Sequence, residues 1–167
     1  MVDIRFTQSR KQIISLWNKV FKDSEEEIIF FLDNCKNYKC LGLFEGEALA
    51  SMLFLVDCTY CNKQGYYIYA VATDENFRNK GYSTSLLHYA KELNENFLWL
   101  IPANDNLISF YQKRGFSVLL YSDCDYENSV SFNQSDKIIE YLYDGCSLEH
   151  PVGMIFSKYN FPKGNIK

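Results

Sequence analysis

The chain has 167 residues, 47% hydrophobic and 23% charged, which is long enough to bury a core of its own and too apolar to remain disordered. A net charge of −4 with a pI near 5.2 excludes a nucleic-acid binder that works through a general basic field and suits a cationic substrate. The N-terminus has no apolar h-region and no apolar run approaches the roughly 18 residues of a membrane span, so a cytoplasmic protein without signal peptide or membrane contact is expected.

Residues 2–6 predict a first strand. Ser9-Arg10-Lys11-Gln12 has the spacing of a capping box, and Ile13, Trp17, Val20 and Phe21 follow at helical intervals. Ser24-Glu25-Glu26-Glu27 repeats the box with acidic residues where the helix dipole favours them, and Ile28, Phe31, Leu32 and Cys35 continue that helix. Glu25 to Glu27 read either as a capped, solvated helix start or as an acidic lip that draws in an amine. Residues 40–45 and 48–57 read as strands joined through Glu45-Gly46-Glu47, a tight hairpin signal. The second ends in C-T-Y-C-N-K-Q-G, read as a longer polar turn, before an aromatic and apolar strand over 66–72.

A helix with Leu86, Ala90 and Leu93 on one face follows, then an apolar run over 97–101 closed by Pro102. Because a helix separates them, the strands at 66–72 and 97–101 should lie parallel in one sheet. Asp105 or Asn106 can cap a short helix on which Leu107, Phe110 and Tyr111 share a face; Gly115 ends it, and 116–121 form a sixth strand. Ser135-Asp136 with Ile138, Ile139 and Leu142 predict a short inserted helix, 152–156 the last strand, and 161–167 a tail. The six cysteines, at 35, 40, 58, 61, 124 and 146, read as reduced thiols. Cys58-Thr59-Tyr60-Cys61 is a lone C-x-x-C that neither His88 nor His150 completes, so no metal is expected; both histidines read as surface, turn or packing residues.

The chemistry concentrates where the strand at 66–72 feeds a helix through Arg78-Asn79-Lys80-Gly81-Tyr82-Ser83. The first N–H groups of a helix lack internal partners and carry the positive end of its dipole, so such a loop can wrap a phosphate. Gly81 supplies the φ freedom this needs, and Arg78 and Lys80 add mobile positive charge. Neither the Walker string nor the dinucleotide fingerprint occurs.

R-x-x-G-x-S at 78–83, after a strand ending V-A-T-D and before an amphipathic helix, resembles the [R/Q]-x-x-G-x-[G/A] loop of the GNAT superfamily of acyl-CoA N-acyltransferases. Asn106 and Tyr111 in N-x-x-x-x-Y register, followed by Lys113-Arg114-Gly115-Phe116, carry a second part of the resemblance, which spans roughly 4–121. Ser83 replaces the usual Gly or Ala, and Asn79 stands where Gly is frequent and tolerates left-handed backbone. The phrasing Y-A-V-A-T-D and F-Y-x-K/R-x-G-F is similar to the catalytic domain of multi-acetylating aminoglycoside N-acetyltransferases.

The resemblance implies an α/β (α+β) fold: a mixed, mostly antiparallel twisted sheet of about seven strands, with helices on both faces and a parallel, splayed central strand pair. Residues 1–160 would be a single N-acetyltransferase domain, with 122–150 a variable insertion between the last strands. It implies acetyl-CoA as co-substrate and, as acceptor, the primary amine of a small molecule or peptide that attacks directly in a ternary complex; a homodimer is left open. Val71, Ala72 and Thr73 would pair with the pantetheine arm through backbone groups, and the amides of Arg78, Asn79, Lys80, Gly81, Tyr82 and Ser83 would hold the pyrophosphate. The Ser83 hydroxyl would donate to a phosphate oxygen or cap the helix, and Asn106 would hold the pantetheine or cap its own helix. Tyr111 would be the general acid that protonates the CoA thiolate, whereas its position alone reads as a core tyrosine beside Phe110; a phenol of pKa about 10 has a proton to give at neutral pH. Glu27, Asp57 and the hydroxyls of Tyr67 and Tyr69 are candidate bases, with no choice among them. The alternatives are a non-catalytic acyl-CoA-binding sensor or regulatory module, against which Tyr111 argues, and a phosphate-binding regulator unrelated to CoA.

Overall fold

The computed structural model describes residues 1–93, 96–121, 130–143 and 152–158; the expectations for Cys124, Cys146, His150 and the tail at 161–167 fall outside them. Two compact units can be told apart, Met1–Val56 with Ile68–Ala90, and Asp57–Tyr67 with Lys91–Lys167.

In the first unit β1 (Val2–Thr7) pairs antiparallel with β2 (Tyr38–Glu45) and β2 with β3 (Ala48–Tyr60), and β4 (Lys63–Thr73) follows in strand order. Glu45 pairs with Ala48, so the first hairpin turns on Gly46 and Glu47 alone, with Gly46 at φ +62 as a primed turn requires. The second hairpin is tighter than the polar C-T-Y-C-N-K-Q-G stretch predicts. Its strands run to Tyr60 and restart at Lys63, and Cys61 and Asn62 both take left-handed backbone, φ 51 and 62, the signature of a two-residue type I′ turn.

Helices α1 (Arg10–Phe21) and α2 (Glu25–Asn34) set Trp17 and Phe31 against Phe54 and Tyr69, with ring centroids 5.2–6.1 Å apart. The buried rings of Trp17, Phe31 and Phe54 each stabilise the fold by roughly 1.5–3 kcal/mol. Residues 49–56 of β3 are buried without a break, so both of its faces are covered. Ser24 caps α2, its hydroxyl accepting the Glu27 N–H at 3.2 Å as one half of the expected box, whereas Ser9 makes no side-chain cap. Thr7 Oγ1 takes the Ser9 N–H, and Gln12 reaches the Glu47 carbonyl at 2.8 Å instead of turning back. α1 buries Ile13, Leu16 and Trp17 and leaves Phe21 39% exposed, because the helix stops there with Lys22 left-handed.

Helix α3 (Tyr82–Leu93) buries Leu86, Leu87 and Ala90; Leu93, expected on that face, is 40% exposed in its last turn. In the second unit Tyr66 and Tyr67 of β4 pair in parallel with Leu98 and Trp99 of β5 (Phe97–Leu100), as the intervening helix predicts. β5 pairs antiparallel with β8 (Val152–Ser157), and β8 with β6 (Val118–Tyr121). α4 (Asn106–Gln112) lies between β5 and β6 in sequence. The inserted helix is present as α5 (Asp136–Tyr143), with Ser135 Oγ accepting the Ile138 N–H; a two-residue strand β7 (Val130–Ser131), not foreseen, pairs with Thr59 and Tyr60 of β3.

The insertion is anchored through rings. Phe132 and Tyr143 pack with Trp99 at centroid distances of 6.0 and 6.3 Å, and Tyr67 stacks on Trp99 at 4.6 Å. Among the described residues the sheet is mixed and mostly antiparallel with one parallel pair, and five α-helices accompany it, which is the expected fold class. No described helix is long and apolar enough to cross a membrane.

Candidate active site

The end of β4 and the loop after it belong to the first unit. Asp74 turns the chain: its Oδ1 accepts the Asn76 N–H at 2.9 Å and caps a 3-10 turn (Glu75–Phe77), its own N–H bonds Ala50 O at 2.9 Å, and Lys19 Nζ lies 2.9 Å from its other oxygen. The Asn76 N–H, with Lys19 behind it, holds the Asp74 carboxyl below the usual carboxylate range. Asn79 and Gly81 then both take left-handed backbone, φ 65 and 75. Left-handed residues among ordinary ones bring neighbouring N–H groups together into an anion-binding concavity. A Cβ built on Gly81 meets nothing within 4 Å, so space is open beside the loop. The first helical bond of α3 runs from Ser85 N–H to Gly81 O at 3.0 Å, so the amides of Tyr82 and Ser83 precede the ladder at the positive end of the dipole. These residues suit a phosphate.

Two side chains of the loop depart from expectation. Ser83 is the second residue of α3, inside the helix, so it does not cap it. Lys80 is paired: its Nζ lies 3.1 Å from Glu45 Oε2, which the Tyr82 hydroxyl also donates to.

The strand before the loop is held by two features that sequence reasoning passed over. Ser51 of β3, fully buried, donates to Ala72 O at 3.0 Å and meets Thr73 Oγ1 at 2.8 Å; since its one proton goes to Ala72, Thr73 donates to it. Asp74 N–H also bonds β3, and backbone groups alternate sides along a strand, so Ala72 faces β3 while Val71 and Thr73 face the other way. The expectation that Ala72 lends its backbone to a pantetheine arm therefore does not fit, because its carbonyl is taken. Ala70 is left-handed within the strand, φ 52, a conformation that costs a non-glycine residue about 1–2 kcal/mol and breaks the side-chain alternation as a bulge does. A serine inside the apolar run A-L-A-S-M-L-F-L-V was a legible signal for Ser51; Ala70 carries none.

Asn106 and Tyr111 belong to the second unit. Neither Asp105 nor Asn106 caps α4 by side chain; backbone bonds Leu107 N–H to Asn104 O and Ile108 N–H to Asp105 O, both 3.2 Å, close its first turn and leave Asn106 exposed. Tyr111 is 7% exposed, its ring edge-on to Phe110 and Phe116 with centroids 5.1 and 6.0 Å away. Gly115 at φ +92 turns the chain so that the Phe116 N–H bonds back to Tyr111 O at 3.1 Å. The Tyr111 hydroxyl makes no hydrogen bond among the described residues, whereas a core tyrosine ordinarily finds a partner. Burial pushes the phenol up to about 12, with the Arg114 guanidinium opposing.

Of the candidate bases, Tyr67 is 3% exposed and donates to Leu142 O at 2.6 Å, which makes it an anchor for α5. Tyr69 packs its ring between Trp17 and Phe31. Glu27 is exposed in the first turn of α2, and Asp57 is half-buried. Cys58 is buried and accepts the Trp99 Nε1–H at 3.2 Å, while Cys61 is exposed in the hairpin turn. Burial pushes the Cys35 and Cys40 thiols up to about 12. Among the described residues no group of three or more His, Cys, Asp or Glu could hold a metal ion.

The sequence profile of the acetyltransferase (GNAT) family matches residues 7–116. A search of curated proteins found no match to the chain. Among solved structures, an acyl-CoA N-acyltransferase from Pseudomonas aeruginosa is similar at 16% identity and a TM-score of 0.62, over 93% of this chain and 99% of that one. An acetyltransferase from Bacillus subtilis in complex with CoA is similar at 16% identity and a TM-score of 0.60, over 95% of this chain and 100% of that one. A probable N-acyltransferase from Enterococcus faecalis has 15% identity and a TM-score of 0.53 over 69% of this chain, which spans only 32% of that protein. At such identities the structures speak to the fold, and the profile speaks to the family. With the loop at 78–83 and the turn after α4 both inside the matched region, the chain belongs to the GNAT acetyltransferase family.

Proposed function

We propose that the protein transfers an acetyl group from acetyl-CoA to the primary amine of a small molecule or peptide, by direct attack within a ternary complex. Family membership supports acyl transfer, and the similar Bacillus subtilis enzyme, solved with CoA, supports CoA as the carrier. The observation that carries the reading is the loop, with its two left-handed residues, the open space beside Gly81 and the amides that precede the α3 ladder. In this reading the amides from Arg78 to Ser83 hold the pyrophosphate, Val71 and Thr73 offer their backbone to the pantetheine arm, and Asn106 contributes a side-chain contact to it.

An ammonium of pKa about 10.4 must first give up a proton. The neutral nitrogen then attacks the thioester carbonyl; the C–N bond forms, the C–S bond breaks, and the sulfur leaves with its electron pair. Tyr111 gives that thiolate its phenolic proton, and solvent restores the phenol as the product amide sheds its extra proton. Burial keeps the phenol protonated far above neutral pH, so the proton is present when the thiolate forms.

Titration calorimetry of the reduced protein with acetyl-CoA, beside a Gly81→Glu variant, tests the loop. Wild-type protein should bind at micromolar concentration and the variant should not, since the new carboxylate would occupy the anion's place. The Cβ at this site meets nothing, so the fold should survive with the roughly 1–2 kcal/mol cost of left-handed backbone. No binding by the wild type, or equal binding by the variant, sinks the proposal.

A further inference from the structure

Glu45 ends β2, opposite Val2 of β1 and Ala48 of β3. One of its oxygens, Oε2, accepts both from Lys80 Nζ, at 3.1 Å, and from the Tyr82 hydroxyl. These are the residues on either side of Gly81, so the two side-chain donors that flank the loop's glycine converge on a single carboxylate oxygen. Lys80 Nζ also lies 5.4 and 5.8 Å from the ring centroids of Phe77 and Tyr82, while its side chain stays 46% exposed. Hydrogen bonds from Tyr82 first, and Lys80 second, hold the Glu45 carboxyl below its ordinary range, so it is ionised at neutral pH. An anionic side chain beside an anion-binding loop works against tight binding: it neutralises the nearest ammonium and repels the phosphate charge.

We propose that Glu45 sets the affinity of the loop for the nucleotide phosphates, by withholding the Lys80 ammonium from them and leaving the backbone amides to hold them. This rests on the acyl-CoA reading of the loop. Its consequence is a site that binds the carrier through preformed amides and releases the spent carrier readily. The Tyr82 bond separates two effects of the same side chain. A neutral acceptor at position 45 still receives the Tyr82 hydroxyl and keeps the start of α3 in place, whereas the hold on Lys80 is mainly a matter of charge.

Calorimetry with CoA on the wild type, Glu45→Gln, Lys80→Met and the double variant tests this. At low salt Glu45→Gln should bind CoA roughly three- to tenfold more tightly, because one repulsive charge is gone and one attractive charge is released. The gain should vanish towards 1 M salt, where the screening length is about 3 Å. Lys80→Met should cost several-fold more affinity in the Glu45→Gln background than in the wild type. An affinity that does not rise in Glu45→Gln at low salt, or an equal cost of Lys80→Met in both backgrounds, overturns the proposal while leaving the acyl-CoA reading intact. A wild type that binds no CoA overturns both.

Discussion

A buried phenol with no partner is a costly group, because a desolvated hydroxyl left unsatisfied costs about 1–3 kcal/mol. Tyr111 is such a group among the described residues, and an apolar ring of the same shape would pack as well between Phe110 and Phe116. Tyr111→Phe should therefore leave the urea midpoint unchanged or raise it, and should leave CoA affinity unchanged, while kcat falls at least about 100-fold, the lower end of what a general acid contributes. A variant with wild-type kcat under saturating substrates would return Tyr111 to the role of a core residue. Because burial raises the folded-state pKa to about 12, an alkaline loss of rate below the phenol's ordinary 10.0 belongs to another group. The N-x-x-x-x-Y register made Tyr111 legible in the sequence. That no described residue partners its hydroxyl was not, since partners come from residues distant in the chain.

At the scale of elements, β4 and its connections departed most from the sequence reading. The stretch C-T-Y-C-N-K-Q-G looked like a loop by composition, yet Thr59 and Tyr60 extend β3, and Cys61 and Asn62 alone make the turn. Two adjacent left-handed residues cannot be read from a cysteine, whose side chain carries no turn preference. Gly65 is the counterpart within the strand: a Cβ there would lie 2.5–2.6 Å from three atoms of the Phe97 ring, which is fully buried in β5. The ring packs edge-on against Tyr60, 5.9 Å away, and has no room to retreat. Gly65→Ala should accordingly lower stability by about 2–3 kcal/mol, the upper part of the overpacking range, as read by urea unfolding of the purified protein. A loss under about 0.5 kcal/mol would show that β4 and β5 can part without cost and that the close approach is not needed.

For the whole molecule, the buried ionisable groups set a pH limit. Cys35 and Cys40 rise from an ordinary 9.0 to about 12, and Tyr111 from 10.0 to about 12, all through burial. The folded protein therefore keeps protons that the unfolded chain gives up, and stability falls with rising pH. These contributions are fully present below about pH 9 and are lost as pH rises towards 12, at about 1.4 kcal/mol per pH unit for each group ionised in the unfolded chain alone. The urea midpoint should decline from pH 9 to 11, and Cys40→Ala should make that decline shallower. A midpoint unchanged over that range contradicts the burial of these thiols.

The local pattern was enough to determine the order of elements apart from the two-residue β7, the parallel pairing of β4 with β5, and the loop at 78–83, because periodicity, turn residues and the strand-to-helix passage act between neighbours in sequence. It also carried the family, since both stretches that hold the resemblance are short and contiguous. Only the tertiary structure decided which side chains those elements meet. Glu45 reached Lys80 and Tyr82 across 35 and 37 residues, Ser51 took the Ala72 carbonyl, and Tyr67 was drawn from the candidate bases to the end of α5. Each of these is a polar contact between residues far apart in the chain, and only the fold brings such groups within hydrogen-bonding reach.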